Sequence, residues 1–323
     1  MLKRGLSVFL AAALMILCFF SVPVFAAEPE FDISDYTIED LETMTTAEKK
    51  KLMEDFIEAY NPYGLRDLME QEASASGGFG VQPLWKSDGS LIESGQQMAT
   101  HQLITLEAML LFITENGFFY NVDSSQQLML ALYLASASAL PDKDETSDAF
   151  AWHFYDPDTG MNYRNQNSPT ARTQAGAHYY SAYAKLNTNV NMDVYGDDFT
   201  YVLKELGCAL HYLQDVCEPH HAANKTAYNS NHMVFETHVE NHINAYLDTA
   251  HPISAQFYTM ARTKAAVDIT HDAAVKAKPY YENIRVNPGK WDSVGETCVW
   301  NAVHYSVALI YKLFYSCNAS FLH

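Results

Sequence analysis

The sequence predicts an all-α fold, and three observations carry that prediction. Seven stretches, 101–116, 125–138, 170–186, 198–216, 231–247, 255–277 and 294–315, repeat apolar residues at intervals of three and four. No run of any length alternates apolar and polar residues as a half-buried strand would. The connections between these stretches, 141–169 above all, are long and rich in Asp, Gly and Asn, and long connections inside a helical domain usually carry function.

The amino-terminal residues read as an export signal over 1–26. Lys3 and Arg4 form a cationic start, Leu6 to Phe20 is an almost unbroken apolar run, and Val24-Phe25-Ala26 offers small residues for cleavage. The apolar run could nearly span a bilayer, but Pro23 and the small-residue site fit removal better. The mature protein is therefore expected to be secreted.

Residues 27–84 differ from the rest. Thr45 or Thr46 is placed to cap a helix over 47–60, with Glu48 in its first turn and Asn61-Pro62-Tyr63-Gly64 ending it. The small-residue run 73–80, ASASGGFG, has the composition of an exposed linker. The segment reads as an acidic propeptide with a hinge open to an activating protease; an attached interaction domain is the alternative. The remaining residues, 85–323, parse as one catalytic domain.

Charge narrows the partners. The chain has 39 acidic and 20 basic residues, and 14 of the acidic ones lie in 27–84 against 4 basic. An acidic body argues against nucleic acid held on a broad basic face, but leaves room for phosphate chemistry at a local metal site. Of the five cysteines, Cys18 leaves with the signal. Export permits disulfides among Cys208, Cys217, Cys298 and Cys317, with three pairings open. Cys298 and Cys317 share a predicted helix about 28 Å apart, so their pairing is the least favoured.

The densest chemical signal is HYLQDVCEPHHAAN, 211–224, followed by HMVFE, 232–236. His211 and Asp215 are four apart, which puts imidazole and carboxylate on one helical face. Pro219 is expected to close that helix and turn the chain, delivering His221 from a loop. His232 and Glu236 repeat the four-residue spacing on the next helix. Imidazole and carboxylate are a donor set that suits zinc when thiolates are absent. One such pair is ordinarily a surface contact, and 13 histidines produce some pairs by chance. His238 and His242 read as such a pair, since His238 lies about 200° around the helix from Glu236. His220 reads as a bystander. Two pairs plus a turn histidine around one proline exceed chance spacing.

The pattern HYLxDxxxPxHxxN, then HxxxE, resembles the signature of the bacterial zinc-dependent phospholipase C family. AWHFYDPDTG, 151–160, resembles that family's HFYDPD segment, and Trp85 with Thr100-His101 resembles its mature amino-terminal tryptophan and partner histidine. The likeness implies an all-α bundle of the type shared with single-strand nucleases, and three zinc ions. It assigns Asp142, His153, His211 and Asp215 to the first ion. His221, His232 and Glu236 take the second; the amine and carbonyl of Trp85, with His101 and a bridging Asp215, take the third. Three carboxylates against six positive charges leave a local excess of about +3, suited to an anionic phosphodiester. The family also proposes Asp142 as the general base for attacking water. The implied substrate is phospholipid met transiently at a membrane surface by a monomer, with diacylglycerol and phosphorylated headgroup as products.

Headgroup recognition departs from the best-known pattern. Phe150 and Asp88 match positions that contact and neutralise choline, but Lys143 replaces a commonly aromatic residue, repelling an ammonium and removing a cation–π face. Two rivals differ in kind. A trinuclear zinc nuclease typically ends the second pair with Asp and brings its histidine closer to the tryptophan, whereas this chain has Glu236 and a 16-residue interval. A silent zinc-stabilised binding protein would close its sites, whereas the second set has three protein ligands. No HExxH occurs to support a peptidase.

Overall fold

The structure is a computed structural model describing residues 31–68, 100–116, 119, 121–144, 149–188, 196–249 and 251–317. The chain divides into two units, Met1–Asp32 and Ile33–His323, and every helix named here lies in the second. The helices are α1 Ile38–Thr43, α2 Thr46–Tyr60, α3 Thr100–Asn116, α4 Ser124–Ala137, α5 Leu140–Asp144, α6 Ala171–Thr188 and α7 Asp197–Asp215. They continue as α8 Pro219–Ala222, α9 His232–Leu247, α10 Ala255–Thr263, α11 Ala266–Ala277, α12 Tyr280–Ile284 and α13 Trp291–Tyr315. Among the described residues there is no strand, only one antiparallel bridge between Asp156 and Met161. No described helix is long and apolar enough to cross a membrane.

Six of the seven expected helices appear with ends moved by at most three residues. The expected helix over 255–277 is two helices. Lys264 and Ala265 adopt extended backbone and separate α10 from α11. No Pro or Gly marks that break. Both pieces pack on α13, and Arg262 on α10 reaches the Tyr311 hydroxyl at 2.5 Å, so tertiary contact overrides local propensity.

The core forms around α13, which buries Val299, Val303, Val307, Ile310 and Phe314 against α3, α7, α9, α10 and α11. Full burial of each such side chain contributes about 1.5–3 kcal/mol. α6 runs along α7, and α4 crosses α7 at Gly207. A Cβ there would meet the Ala137 side chain and lie 2.9 Å from the Leu134 carbonyl oxygen. Glycine thus permits the approach that holds the carboxyl end of α7 in the interior.

Residues 33–68 pack into the same unit. The helix expected over 47–60 begins at Thr46, its start fixed by a reciprocal pair: Glu48 N–H donates to Thr45 Oγ1 and Thr45 N–H to Glu48 Oε2. Asn61 ends it in the left-handed conformation. Met53 and Phe56 are fully buried, Lys49 pairs with Glu107 on α3 at 2.7 Å, and Thr46 donates to Asp248 beyond α9. Among the described residues no disulfide joins the four cysteines, all of which are buried.

Candidate metal centre

The last turns of α7 carry His211, Gln214 and Asp215 into the interior, all nearly inaccessible to solvent. His101, in the first turn of α3, arrives beside them, and His153 comes from the one-turn helix Ala149–His153. Asp142 lies in α5. The chain leaves α7 and turns at Glu218-Pro219 into α8. His221 therefore sits on a single helical turn, not in the irregular loop expected from Pro219, because proline at the first helical position starts a helix. His232 and Glu236 occupy the opening turns of α9.

Three histidines share one arrangement. His101 donates its Nδ1 proton to Gln214 Oε1, His211 to the Ser138 carbonyl and His221 to the His153 carbonyl, each across 2.8 Å. These acceptors fix Nδ1 as the donor in each ring and turn each Nε2 toward carboxylate. His101 Nε2 lies 3.5 Å from Asp215 Oδ1, and His221 Nε2 lies 3.3 Å from Glu236 Oε1. His211 Nε2 is 3.3 Å from Asp215 Oδ2, 3.4 Å from Asp142 Oδ1 and 3.0 Å from His153 Nδ1. His153 Nδ1 is in turn 2.9 Å from Asp215 Oδ2.

Donor atoms converge in three buried or half-buried groups: Asp142, His153 and His211; His101, His211 and Asp215; and Glu218, His221, His232 and Glu236. Within each, one donor atom per residue lies within 4.8 Å of the others. Glu236 Oε2 is buried with no hydrogen-bond donor, an expensive arrangement that a cation relieves. Outward-donating imidazoles around buried carboxylates with an orphaned oxygen fit metal binding.

The charges are interdependent. Burial would raise the carboxyl of Asp142, but His211 and His153 more than offset it and bring it to about 2. Asp215 is likewise pushed up by burial and drawn well below the usual range by His211 and His153. For His221 burial opposes the charge, yet the Glu236 hydrogen bond and Asp215 raise it to about 9. Burial, reinforced by His211, lowers His101.

No protein-family model matches the chain. A phospholipase C of Paraclostridium bifermentans is 37% identical over 109 residues, 33% of this chain and 27% of that protein. One of Bacillus cereus is 34% identical over 138 residues, 43% and 45% respectively. One of Clostridium perfringens is 29% identical over 161 residues, 47% and 39%. Over part of its length the chain is similar to bacterial phospholipases C. The match spans less than half the length of these relatives. The fold is shared with solved alpha-toxins. That of Clostridium absonum has TM-score 0.55 and 21% identity, covering 66% of this chain and 62% of the toxin. That of an avian Clostridium perfringens strain gives 0.53 and 24%, covering 70% and 64%.

Asp142, His153, His211 and Asp215 come together as one set and His221, His232 and Glu236 as a second, with His101 beside Asp215. Trp85 and Asp88 lie outside the described residues. Lys143 is half-buried one residue from Asp142. Phe150 is half-buried against the rings of Phe154 and Tyr163, at 5.3 and 5.8 Å.

Sequence reasoning missed Glu218 and Gln214, and the link that His220, a bystander to the ligands as expected, makes between them. Glu218 Oε2 accepts from the backbone of His220 and His221, capping α8, while Oε1 lies 2.6 Å from His220 Nδ1. Glu218 Oε2 is also 3.8 Å from His232 Nε2. His220 Nε2 faces Asn231 Oδ1 at 3.1 Å, and Asn231 donates its amide to the Ile284 carbonyl. Two acceptors flank the ring, so His220 donates at both nitrogens and is an imidazolium. His220 is thus no ligand, but it links the turn bearing His221 to the residue before His232. An acidic residue just ahead of a proline that opens a helix was the available signal.

Proposed function

We propose that this chain is a secreted, zinc-dependent phospholipase C that hydrolyses glycerophospholipids to diacylglycerol and phosphorylated headgroup. The carrying observation is the buried centre in which His101, His211 and His221 all donate outward and aim Nε2 at Asp215, Asp142 and Glu236. Asp142, His153, His211 and Asp215 would hold one zinc ion and His221, His232 and Glu236 a second. His101 and Asp215, with the terminal amine and carbonyl of Trp85, would hold a third. Bound zinc supplies Lewis acidity toward phosphoryl oxygens and acidifies water.

The protein's own groups do the positioning. Asp142 would accept a hydrogen bond from the attacking water and serve as its base, the role that the resemblance gives it. Gln214, Ser138 and His153 hold the imidazoles rigid. Lys143 beside Asp142 disfavours a quaternary ammonium headgroup. Residues 1–26 support export. The acidic segment 27–84 supports a propeptide that a protease removes, leaving a monomer that meets its substrate transiently at a membrane surface. The net charge of -19 argues against nucleic acid as partner.

The test uses protein beginning at Trp85, supplied with mixed phospholipids and, separately, single-stranded DNA. Release of phosphorylated headgroup and diacylglycerol is expected, with three zinc ions in the buried centre. Asp215→Asn should lose most of the activity because two ions share that carboxylate. Cleavage of DNA with phospholipid left intact would overturn the reading in favour of a nuclease.

A further inference from the structure

The predicted chance pair His238 and His242 points away from the buried centre and meets a third donor, Asp292. We propose that His238, His242 and Asp292 form a separate surface site for a divalent transition cation of the zinc class, clipping α9 to α13. This inference stands apart from the phospholipase reading.

The geometry comes from helix spacing and one close crossing. Residues four apart lie one turn above each other, and the two imidazoles stack with ring centroids 4.2 Å apart and planes inclined by 27°. Such a pair is a bidentate metal chelate, as in helical zinc motifs. Gly295 on α13 allows the carboxylate to arrive. A Cβ there would lie 3.0 Å from Val239 Cγ2 and 3.1 Å from the Tyr246 hydroxyl, both on α9. With hydrogen at that position the helices approach, and Asp292, in the first turn of α13, comes over the histidines.

The orientation of each donor is already set. His242 donates Nδ1–H to the His238 carbonyl across 2.7 Å, so its Nε2 carries the lone pair. A ligating histidine usually donates its other nitrogen to just such an acceptor. The His238 ring lies edge-on to Trp291 at 5.5 Å, with its Nε2 2.9 Å from Asp292 Oδ1. Tyr246 donates its hydroxyl to the same Asp292 oxygen at 3.2 Å, fixing the carboxylate from below. One donor atom from each residue lies within 4.8 Å of the others, while the Asp292 side chain remains 71% exposed, leaving water access to a fourth position. Binding would exchange the Nε2 proton of His238 for the cation and release it to solvent.

The clip has a consequence for the centre next door. His238 follows Glu236 by two residues on the same helix, so an ion tying this face to α13 braces the helix that presents His232 and Glu236 on its other face.

The experiment compares wild type, His242→Ala and Asp292→Asn, each dialysed against the same free zinc and analysed for zinc per chain. His242 and Asp292 are exposed, so both variants are expected to fold, and their far-ultraviolet circular dichroism checks this. Wild type should hold one more equivalent than His242→Ala, and Asp292→Asn should bind that equivalent about tenfold or more weakly. Added zinc should raise the Tm of wild type further than that of either variant. Equal zinc in all three proteins would overturn the proposal and leave His238–Asp292 a plain hydrogen-bonded contact. The comparison is repeated in an Asp215→Asn background, where the difference of one equivalent should persist whatever reaction the buried centre performs.

Discussion

His101 and Gln214 meet across 2.8 Å, and the glutamine that accepts the imidazole proton also donates to Thr105 Oγ1 at 2.8 Å and Ser306 Oγ at 3.1 Å. One amide thus joins α3, α7 and α13 one residue before Asp215. Because its nitrogen is committed to two hydroxyls, its oxygen must face His101, and this sets which ring nitrogen points inward. Replacing Gln214→Leu keeps comparable bulk but removes the acceptor. The variant should fold and bind zinc at the His101–Asp215 position about 10–100-fold more weakly, as loss of such an orienting partner does elsewhere. Zinc competition with a chromophoric chelator measures it; unchanged affinity would show that His101 needs no such partner.

Glu218 and His220 form a buried ion pair that no element of the family pattern announced. Burial favours neutrality in both, yet His220 draws Glu218 down to about 2 and Glu218 holds His220 up. Glu218→Gln leaves the imidazolium without its counter-charge, and breaking a buried pair on one side typically costs about 3–5 kcal/mol. Replacing both, Glu218→Gln with His220→Leu, removes the unpaired charge and should cost less than the single change. Urea unfolding of the zinc-loaded proteins at neutral pH gives the comparison. A double variant worse than the single would mean that the pair acts by cap and shape, not charge.

How much of this was legible in the sequence follows from the range of each interaction. The His211–Asp215 and His232–Glu236 spacings lie within one helical turn, so the sequence displays them directly. The capping of α2 by Thr45 and Glu48 is equally local. Gln214 looked like filler between two ligands because its partners Thr105 and Ser306 are 109 and 92 residues away. Glu218 was passed over because its use depends on His220 being charged, which Asn231 and Glu218 decide together. The division of α10 from α11 left no local mark, since packing on α13 overrides a stretch with no breaker. His238 and His242 were judged correctly for orientation, but Asp292 enters from α13, 54 residues later.

The crossing at Gly207 sets two effects against each other. Alanine has the higher helix propensity, a gain of about 1 kcal/mol at most. Its methyl would meet Ala137 and sit 2.9 Å from backbone atoms of Ala137 and Leu134, none of which can swing aside like a flexible side chain. Overpacking of that kind costs about 1–3 kcal/mol and sometimes more. The steric effect should win, and Gly207→Ala should lower the Tm by a few degrees. Because His211 follows one turn later, zinc retention should fall with it. A Tm equal to or above wild type would mean that α4 and α7 separate freely at this point.

The last prediction concerns activation. His101 and Asp215 face each other at 3.5 Å in a group that shares His211 with its neighbour, so this position needs a further donor. The resemblance supplies it from Trp85, which lies outside the described residues. In mid-chain that nitrogen is an amide whose lone pair is delocalised and unavailable to zinc. Cleavage between Leu84 and Trp85 would convert it to an α-amine with a pKa of about 7.7–8.0, able to deprotonate and coordinate. The ASASGGFG run at 73–80 lies just ahead of that bond. Three forms make the comparison: uncut chain, chain beginning at Trp85, and chain with one extra residue before Trp85. The form beginning at Trp85 should retain three zinc ions in the buried centre and full activity, and the other two should retain fewer there and act more slowly. Equal zinc and equal activity in all three would defeat the zymogen reading while leaving the ligand sets around Asp142 and Glu236 untouched.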